Sequence, residues 1–440
     1  MAGELPTGWR NRAWNRNRLR SASVLLALVI PAMLLPLVSC PRSSTGKVAL
    51  PPSARAGKTA AEEQPREYIR IGVLLPLTGS AQRSGVSMQK GIDLALQRIN
   101  ASGGIRALNL LVVYRDTGGD ATLAGEEAKG LLEEALPDSI VCGGNAEEAE
   151  AVAEVAGTYG VPVLVVASGV SKPTRAAHGS IRPRVFRISL TDELRARALA
   201  SCAAKELRAK RVGIVLDAAS AGGQHLKKML AREFSGYFPD VAVSDEGSYQ
   251  HGSAESLHSL IERLKEDTPD TLVLLGASLQ SRMVVKDLRA AGIQAELLAW
   301  NQLPENSQKG PAVAAAEGVI LLSCFAPDEP ADAATTFSSA YEDAYKESPD
   351  APAALGYDAL GLLADAITRA RSMKPEAVAV ALAQTEDFAG ATGTITMDAS
   401  HNAHRRVVML KVEEGELHFM RPLELSKLPD ATSNEQPKSE

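Results

Sequence analysis

Three short segments place glycine beside hydroxyl or amide side chains where an apolar run stops: Thr78-Gly79-Ser80, Cys142-Gly143-Gly144-Asn145 and Ser168-Gly169-Val170-Ser171. The first two stand between a strand-like run and a helix-like one. Backbone N–H groups are unpaired at such helix starts, and an anion can use them. Taken singly, each segment reads as an ordinary turn or helix cap. All three fall on one edge of the same expected sheet, and together they point to capture of a carboxylate or another polar head group. Nothing points beyond capture: the chain has no GxSxG elbow, HExxH or P-loop, and no local Cys–His or carboxylate pair. No catalytic residue, cofactor or metal is expected. His401 and His404 read as an exposed turn, since a metal would need further ligands in the right geometry. Trp300 reads either as a packed indole or as a wall of the binding cleft.

The elements that must hold these residues follow from periodicity. Apolar residues alternate through 69–75 and recur at helical spacing through 88–99, with a stop at 100–104. Strand-like 108–114, helical 121–135, strand-like 140–142, helical 146–158 and strand-like 161–166 continue the rhythm. It restarts with strands at 211–216, 241–243, 271–275, 297–300 and 318–324, separated by helices at 223–237, 254–266 and 279–291. A helical block at 331–384 precedes two antiparallel strands at 393–397 and 406–412. Repeated βαβ order implies a mostly parallel sheet covered on both faces. Two such halves with a late return imply two lobes, with a ligand in the cleft at the carboxyl ends of the strands.

At 440 residues the chain exceeds what one core usually serves. The first 40 residues hold five arginines and one acid, Glu4, leaving 42 bases against 52 acids in the remainder. An acidic body excludes a phosphate-reading stripe, so no nucleic-acid partner is expected. Residues 21–39 are apolar apart from three serines and follow a basic head, the anatomy of an export signal. Leu37-Val38-Ser39-Cys40 resembles a bacterial lipobox, which implies cleavage before Cys40 and its lipidation. An uncleaved membrane anchor is the other reading, although Pro31 and Pro36 break the apolar run. Cys142, Cys202 and Cys324 match no CxxC pattern and read as buried thiols. Residues 40–67 read as a flexible tether and 426–440 as a disordered tail.

An ordered set of motifs carries a family resemblance: IGVLLPLTG at 71–79, GIDLA at 91–95, INASGG at 99–104, YRD at 114–116, GVPV at 160–163, LRAAG at 288–292, Glu317-Gly318 and Tyr357-Asp358-Ala359. Over residues 68–420 the chain resembles the type I periplasmic binding proteins, in the branch that binds leucine, isoleucine and valine. The resemblance implies an α/β fold of two doubly wound lobes joined by three crossovers. Residues 68–189 with 325–392 would form the first lobe, and 190–324 with 393–425 the second. It also implies a monomeric ABC-importer component, lipid-anchored in the bacterial cell envelope, facing the periplasm or exterior and docking on a permease. The family's carboxylate-binding serine aligns with Ala146, or with Asn145 if the register shifts by one. Gly169 and Ser171 align with the ligand-binding turn, Ser84 with a first-loop aromatic, and Tyr357 with an aromatic of the first lobe. In the second lobe two tyrosines align with Ala221 and Ala277, and the ammonium-binding acid aligns with Gln302, beside Asn301. The polar cradle of lobe one is thus retained and the ammonium and ring contacts of lobe two are lost. The expected ligand is a small polar solute, amino-acid-like, an amide or a small carboxylate, but not a standard α-amino acid. The same fold also suits a lipoprotein that senses a ligand or regulates an envelope enzyme, and less well a degenerate hydrolase.

Overall fold

From Ile71 onward the first strand is apolar on both faces, as a strand covered by helices on either side must be. This is β1 (Tyr68–Leu75), and the chain continues as α1 (Gln82–Ala101), β2 (Asn109–Asp116), α2 (Ala121–Glu134), β3 (Ser139–Cys142), α3 (Ala146–Tyr159), β4 (Val163–Val165) and β5 (Val185–Arg187). The five strands form one parallel sheet in the order β2-β1-β3-β4-β5. The second half repeats the winding with α4 (Asp192–Ser201), β6 (Arg211–Asp217), α5 (Ala221–Tyr237), β7 (Ala242–Tyr249), α6 (Ala254–Glu266), β8 (Thr271–Leu275), α7 (Ser281–Ala290), β9 (Glu296–Trp300), α8 (Pro311–Ala314) and β10 (Val319–Ser323). After α9 (Asp332–Tyr345), α10 (Ala351–Ala370) and α11 (Pro375–Ala383) come β11 (Phe388–Gly390), β12 (Gly393–Met397), β13 (Ala403–His404), β14 (Val407–Glu413) and β15 (Glu416–Leu423). The second sheet runs β15-β14-β10-β9-β8-β6-β7, with β14 and β15 antiparallel to their neighbours. In each lobe the strand order reverses once, between β1 and β3 and between β6 and β8. Such reversals open a crevice at the carboxyl ends of the strands.

The computed structural model describes residues 67–166, 173–218, 220–250, 253–276, 281–300 and 311–425, all within one compact unit. The export signal, Cys40, the tail and the turn at 168–171 lie outside the described residues. No helix among the described residues is long and apolar enough to cross a membrane.

The core lies in layers on either face of each sheet. Met88, Ile92 and Ala95 of α1 meet Leu360, Leu363 and Ile367 of α10 on one face of the first sheet. Leu131 of α2 and Val152 of α3 cover the other. Each such fully buried aliphatic side chain contributes about 1.5–3 kcal/mol. The contact of α1 with α10 depends on two glycines. A Cβ at Gly91 would sit 1.9 Å from the Ala353 carbonyl oxygen, and one at Gly356 would sit 2.3 Å from that of Met88. The second sheet is covered by α4 and α5 on one face and by α6 and α7 on the other.

Three crossovers join the lobes, at 188–191, 324–331 and 405–406. The third lies later than the expected boundary at 393. Ile395, Met397 and Ala403 are buried in the first lobe's core, so β12 and β13 stay with that lobe. Their three-stranded sheet with β11 is tied to β5 by a bridge between Arg187 and Asn402. The turn carrying His401 is accordingly not an exposed one. His401 stacks on Phe186 with ring centroids 4.3 Å apart and donates from Nδ1 to the Val185 carbonyl at 3.1 Å. His404 does remain exposed, with Nε2 3.8 Å from Asp398.

Candidate functional site

The register of the first sheet brings its strand ends together: Leu75 lies opposite Asp116, Leu74 opposite Cys142, and Cys142 opposite Val165. The loops that follow therefore share one rim, which holds Thr78, Gly79, Ser80, Asn145 and Ala146. Thr78, Gly79, Ser80 and Asn145 are exposed, Ser84 is half-buried at the start of α1, and Ala146 is buried. Gly79 has φ +79°, and a Cβ there would meet the Gly118 carbonyl oxygen at 2.5 Å, so the first two loops pack backbone to backbone.

Several of the donors expected to await an anion are already engaged. The N–H groups of Leu77, Thr78 and Gly118 donate to Asp116 Oδ1 at 2.8, 3.1 and 2.9 Å, and Thr78 Oγ1 donates to Oδ2 at 2.7 Å. Burial alone would push the Asp116 carboxyl up. The hydrogen bonds from Thr78, Gly118 and Leu77 overcome that and hold it below its ordinary value. A second carboxylate does the same at α3. Asn145 caps the helix by accepting from the Glu148 N–H at 2.8 Å, and its own N–H donates to Glu148 Oε2 at 2.7 Å. Glu148 is fully buried and also accepts from Thr117 Oγ1. The Asn145 amide donates to the Gly119 carbonyl at 3.3 Å, joining the second and third loops.

Tyr357 is not brought to this rim. It packs on Phe337 with ring centroids 4.9 Å apart, and its hydroxyl accepts from Arg98 in the last turn of α1 at 2.8 Å, whereas the rim adjoins the first turn. Ser168, Gly169, Ser171, Ala277, Asn301 and Gln302 lie outside the described residues, and Ala221 is described only as the first residue of α5.

In the second lobe the described edge ends on Asp217, Leu275, Trp300 and Ser323. Asp217 is buried and partnered. Trp300 is half-buried, with the Arg195 guanidinium over its ring, 5.0 Å from the centroid. Arg195 donates to Asp192 Oδ1 at 3.0 Å, and both belong to the first turn of α4, which Thr191 caps. Arg195 carries no signal in the local sequence. Its place becomes visible only when the first crossover returns α4 to the end of β9. Among the described residues no group of three or more His, Cys, Asp or Glu side chains is placed to hold a metal.

Two doubly wound lobes, each with one reversal of strand order, agree with a match to the periplasmic binding protein family over residues 68–416. The chain belongs to that family. Periplasmic binding proteins of this type capture solutes and do not transform them. A curated relative, a Leu/Ile/Val-binding protein homologue of Brucella melitensis, is 25% identical over 232 residues, which cover 52% of this chain and 60% of the relative. A leucine-binding protein from Thermotoga maritima superposes with a TM-score of 0.68 at 24% identity, covering 82% of this chain and all of the other. A solute-binding protein of an ABC transporter from Rhodopseudomonas palustris, in complex with 3,4-dihydroxybenzoic acid, gives a TM-score of 0.69 at 19% identity, covering 83% and 99%. The chain thus has the fold of the solute-binding components of ABC importers.

Proposed function

We propose that the chain is the extracytoplasmic receptor of an ABC importer, held at the cell envelope through lipid on Cys40, and that it closes its lobes over a small polar carboxylate or amide. The observation that carries this reading is the pair of strand-end rims, one per lobe, in two lobes joined by three crossovers. Ligand would favour the closed state by contacts made only there, and the closed form would dock on a permease. The relatives' ligands range from leucine to a dihydroxybenzoate, so the fold itself does not select an amino acid. Placing Thr78, Ser80, Ser84, Asn145 and the 168–171 turn around the ligand is part of the proposal.

A thermal-shift screen of the full chain in detergent, against amino acids, amides, small acids and peptides, tests it. Saturable stabilisation by one class, with a smaller radius of gyration in solution scattering, is the expected result. One observation favours a second reading. The first lobe's rim donors are engaged by Asp116 and Glu148, as suits a rim kept as a rigid surface. A lipoprotein that regulates an envelope enzyme would show no stabilising solute and would co-purify with that enzyme rather than with a permease.

A further inference from the structure

We propose that Arg195, laid against Trp300, is the anion-recognising group of the second lobe, and that the solute is a small carboxylate bearing no ammonium group. The inference rests on the solute-binding reading above and names the ligand class for it.

Position is the first ground. Trp300 ends β9 beside Leu322 of β10, on the strand-end edge that faces the cleft. Arg195 follows the first crossover, and its charge is felt at Cys324, where the second crossover begins. The guanidinium therefore sits beside the strand-end edge of the second sheet, close to the first two crossovers.

The second ground is an unmade hydrogen bond. The Arg195 side chain is 12% exposed and its Nη1 is paired with Asp192, itself 4% exposed. Its Nε–H is buried with no acceptor among the described residues. Proteins leave few buried donors unsatisfied, because each costs free energy. A carboxylate oxygen is the acceptor that a guanidinium N–H holds most strongly. The indole holds the guanidinium by a cation–π contact, 5.0 Å from the ring centroid.

Charge supplies the third ground. An ammonium group brought to this edge would meet the guanidinium, while Asp192 is occupied by Arg195 and Asp217 is buried and partnered. In the first lobe the N–H donors at Leu77, Thr78, Gly118 and Asn145 already hold Asp116 and Glu148, which leaves fewer of them for the anion.

Matched probes separate the possibilities: 4-methylpentanoate against leucine, which differ by the ammonium group, and benzoate against benzamide, which differ by the charge. Binding is measured by calorimetry and thermal shift on the full chain in detergent. The expected result is that the carboxylate of each pair binds at least about tenfold tighter than its partner, and that Arg195→Met weakens it by at least about tenfold. Arg195→Met leaves Asp192 unpaired, so Arg195→Met with Asp192→Asn, and Arg195→Lys, are made beside it. A variant counts once its unliganded circular dichroism matches wild type. Carboxylate binding that is equal in wild type and in the folded Arg195 variants overturns the assignment and leaves solute binding standing. Tighter binding of leucine than of 4-methylpentanoate overturns the exclusion of an ammonium group, again leaving solute binding standing. Failure of every solute in the broad screen overturns this inference and the receptor reading together.

Discussion

At Asp116 a single carboxylate gathers four donors from two loops, and so gives the first lobe's rim its shape without a ligand. Asp116→Ala should lower stability by about 1 kcal/mol in urea titration, because the freed loop donors regain water. The folded state holds this carboxyl below its ordinary value, so its stabilisation is present above the unfolded pKa and is lost as pH falls through the folded one. The difference in melting temperature between wild type and Asp116→Ala should be full at pH 7 and should close below about pH 4. A difference that persists at pH 2 would remove the hydrogen-bonded carboxylate from the explanation. The loops of this rim were legible in the sequence, since periodicity places strand ends and helix starts. Their engaged state was not: Asp116 lies 38 residues from Thr78, and no local pattern marks that partnership. Cysteine offers a second test at this scale. Burial pushes the Cys142 and Cys324 thiols up, and that of Cys202 up to about 12. Native protein should show no thiol reactive towards Ellman's reagent at pH 8. In guanidinium, Cys142, Cys202 and Cys324 should all react if Cys40 is a thioether, whereas a further titrating thiol would refute lipidation.

Among the elements, α1 and α10 set the tightest tolerance. Their backbones approach at Gly91 and Gly356, where a methyl group would fall well inside contact distance of a carbonyl oxygen. Backbone cannot give way as a side chain can, so Gly91→Ala should cost about 3 kcal/mol, at the upper end of overpacking penalties. Gly130→Ala on α2, where a Cβ meets nothing within 4 Å, should be neutral or slightly stabilising in the same denaturation assay. Equal effects at the two sites would contradict the close helix crossing. The same physics explains which elements the sequence concealed. Amphipathic helices and long buried strands announce themselves by period. In α4, Ala196, Ala198, Leu199, Ala200 and Ser201 are all buried, so no polar face marks a period. The strand β5 has only three residues and takes its place from β4 rather than from its own pattern. In β15 exposure falls on Glu416, His418 and Met420 to Pro422, too irregular for simple alternation, and the ladder to β14 shifts register between Met409 and Leu410.

For the whole molecule, the freedom of the lobes depends on what meets at the crossovers, and one side chain of the third is bonded to the first. Arg405 belongs to the third crossover and is fully buried. Its Nη1 donates to the Ile188 carbonyl of the first crossover at 2.6 Å, and its charge is felt at Cys324 in the second. Its Nη2 is 3.6 Å from Asp358 of α10, which also accepts from the N–H groups of Ala391 and Thr392 at 2.6 and 3.0 Å. A lobe swinging about these segments turns around a charged pivot that low dielectric keeps in place. Beside it, Arg406 pairs with Glu329 at 2.5 Å and ties the third crossover to the second. Removing one member of a buried pair strands the other, so Arg405→Met should destabilise by about 3–5 kcal/mol. Adding Asp358→Leu should restore part of that loss, because an apolar pair strands no charge. If the pivot also holds the lobes in register, the folded double variant should show a broader distance distribution in solution scattering than wild type. Labels placed one in each lobe, at Glu134 and Glu266, would read the same change as a wider spread of separations. Full-strength stability with an unchanged distribution would show that the crossover backbones alone set the hinge.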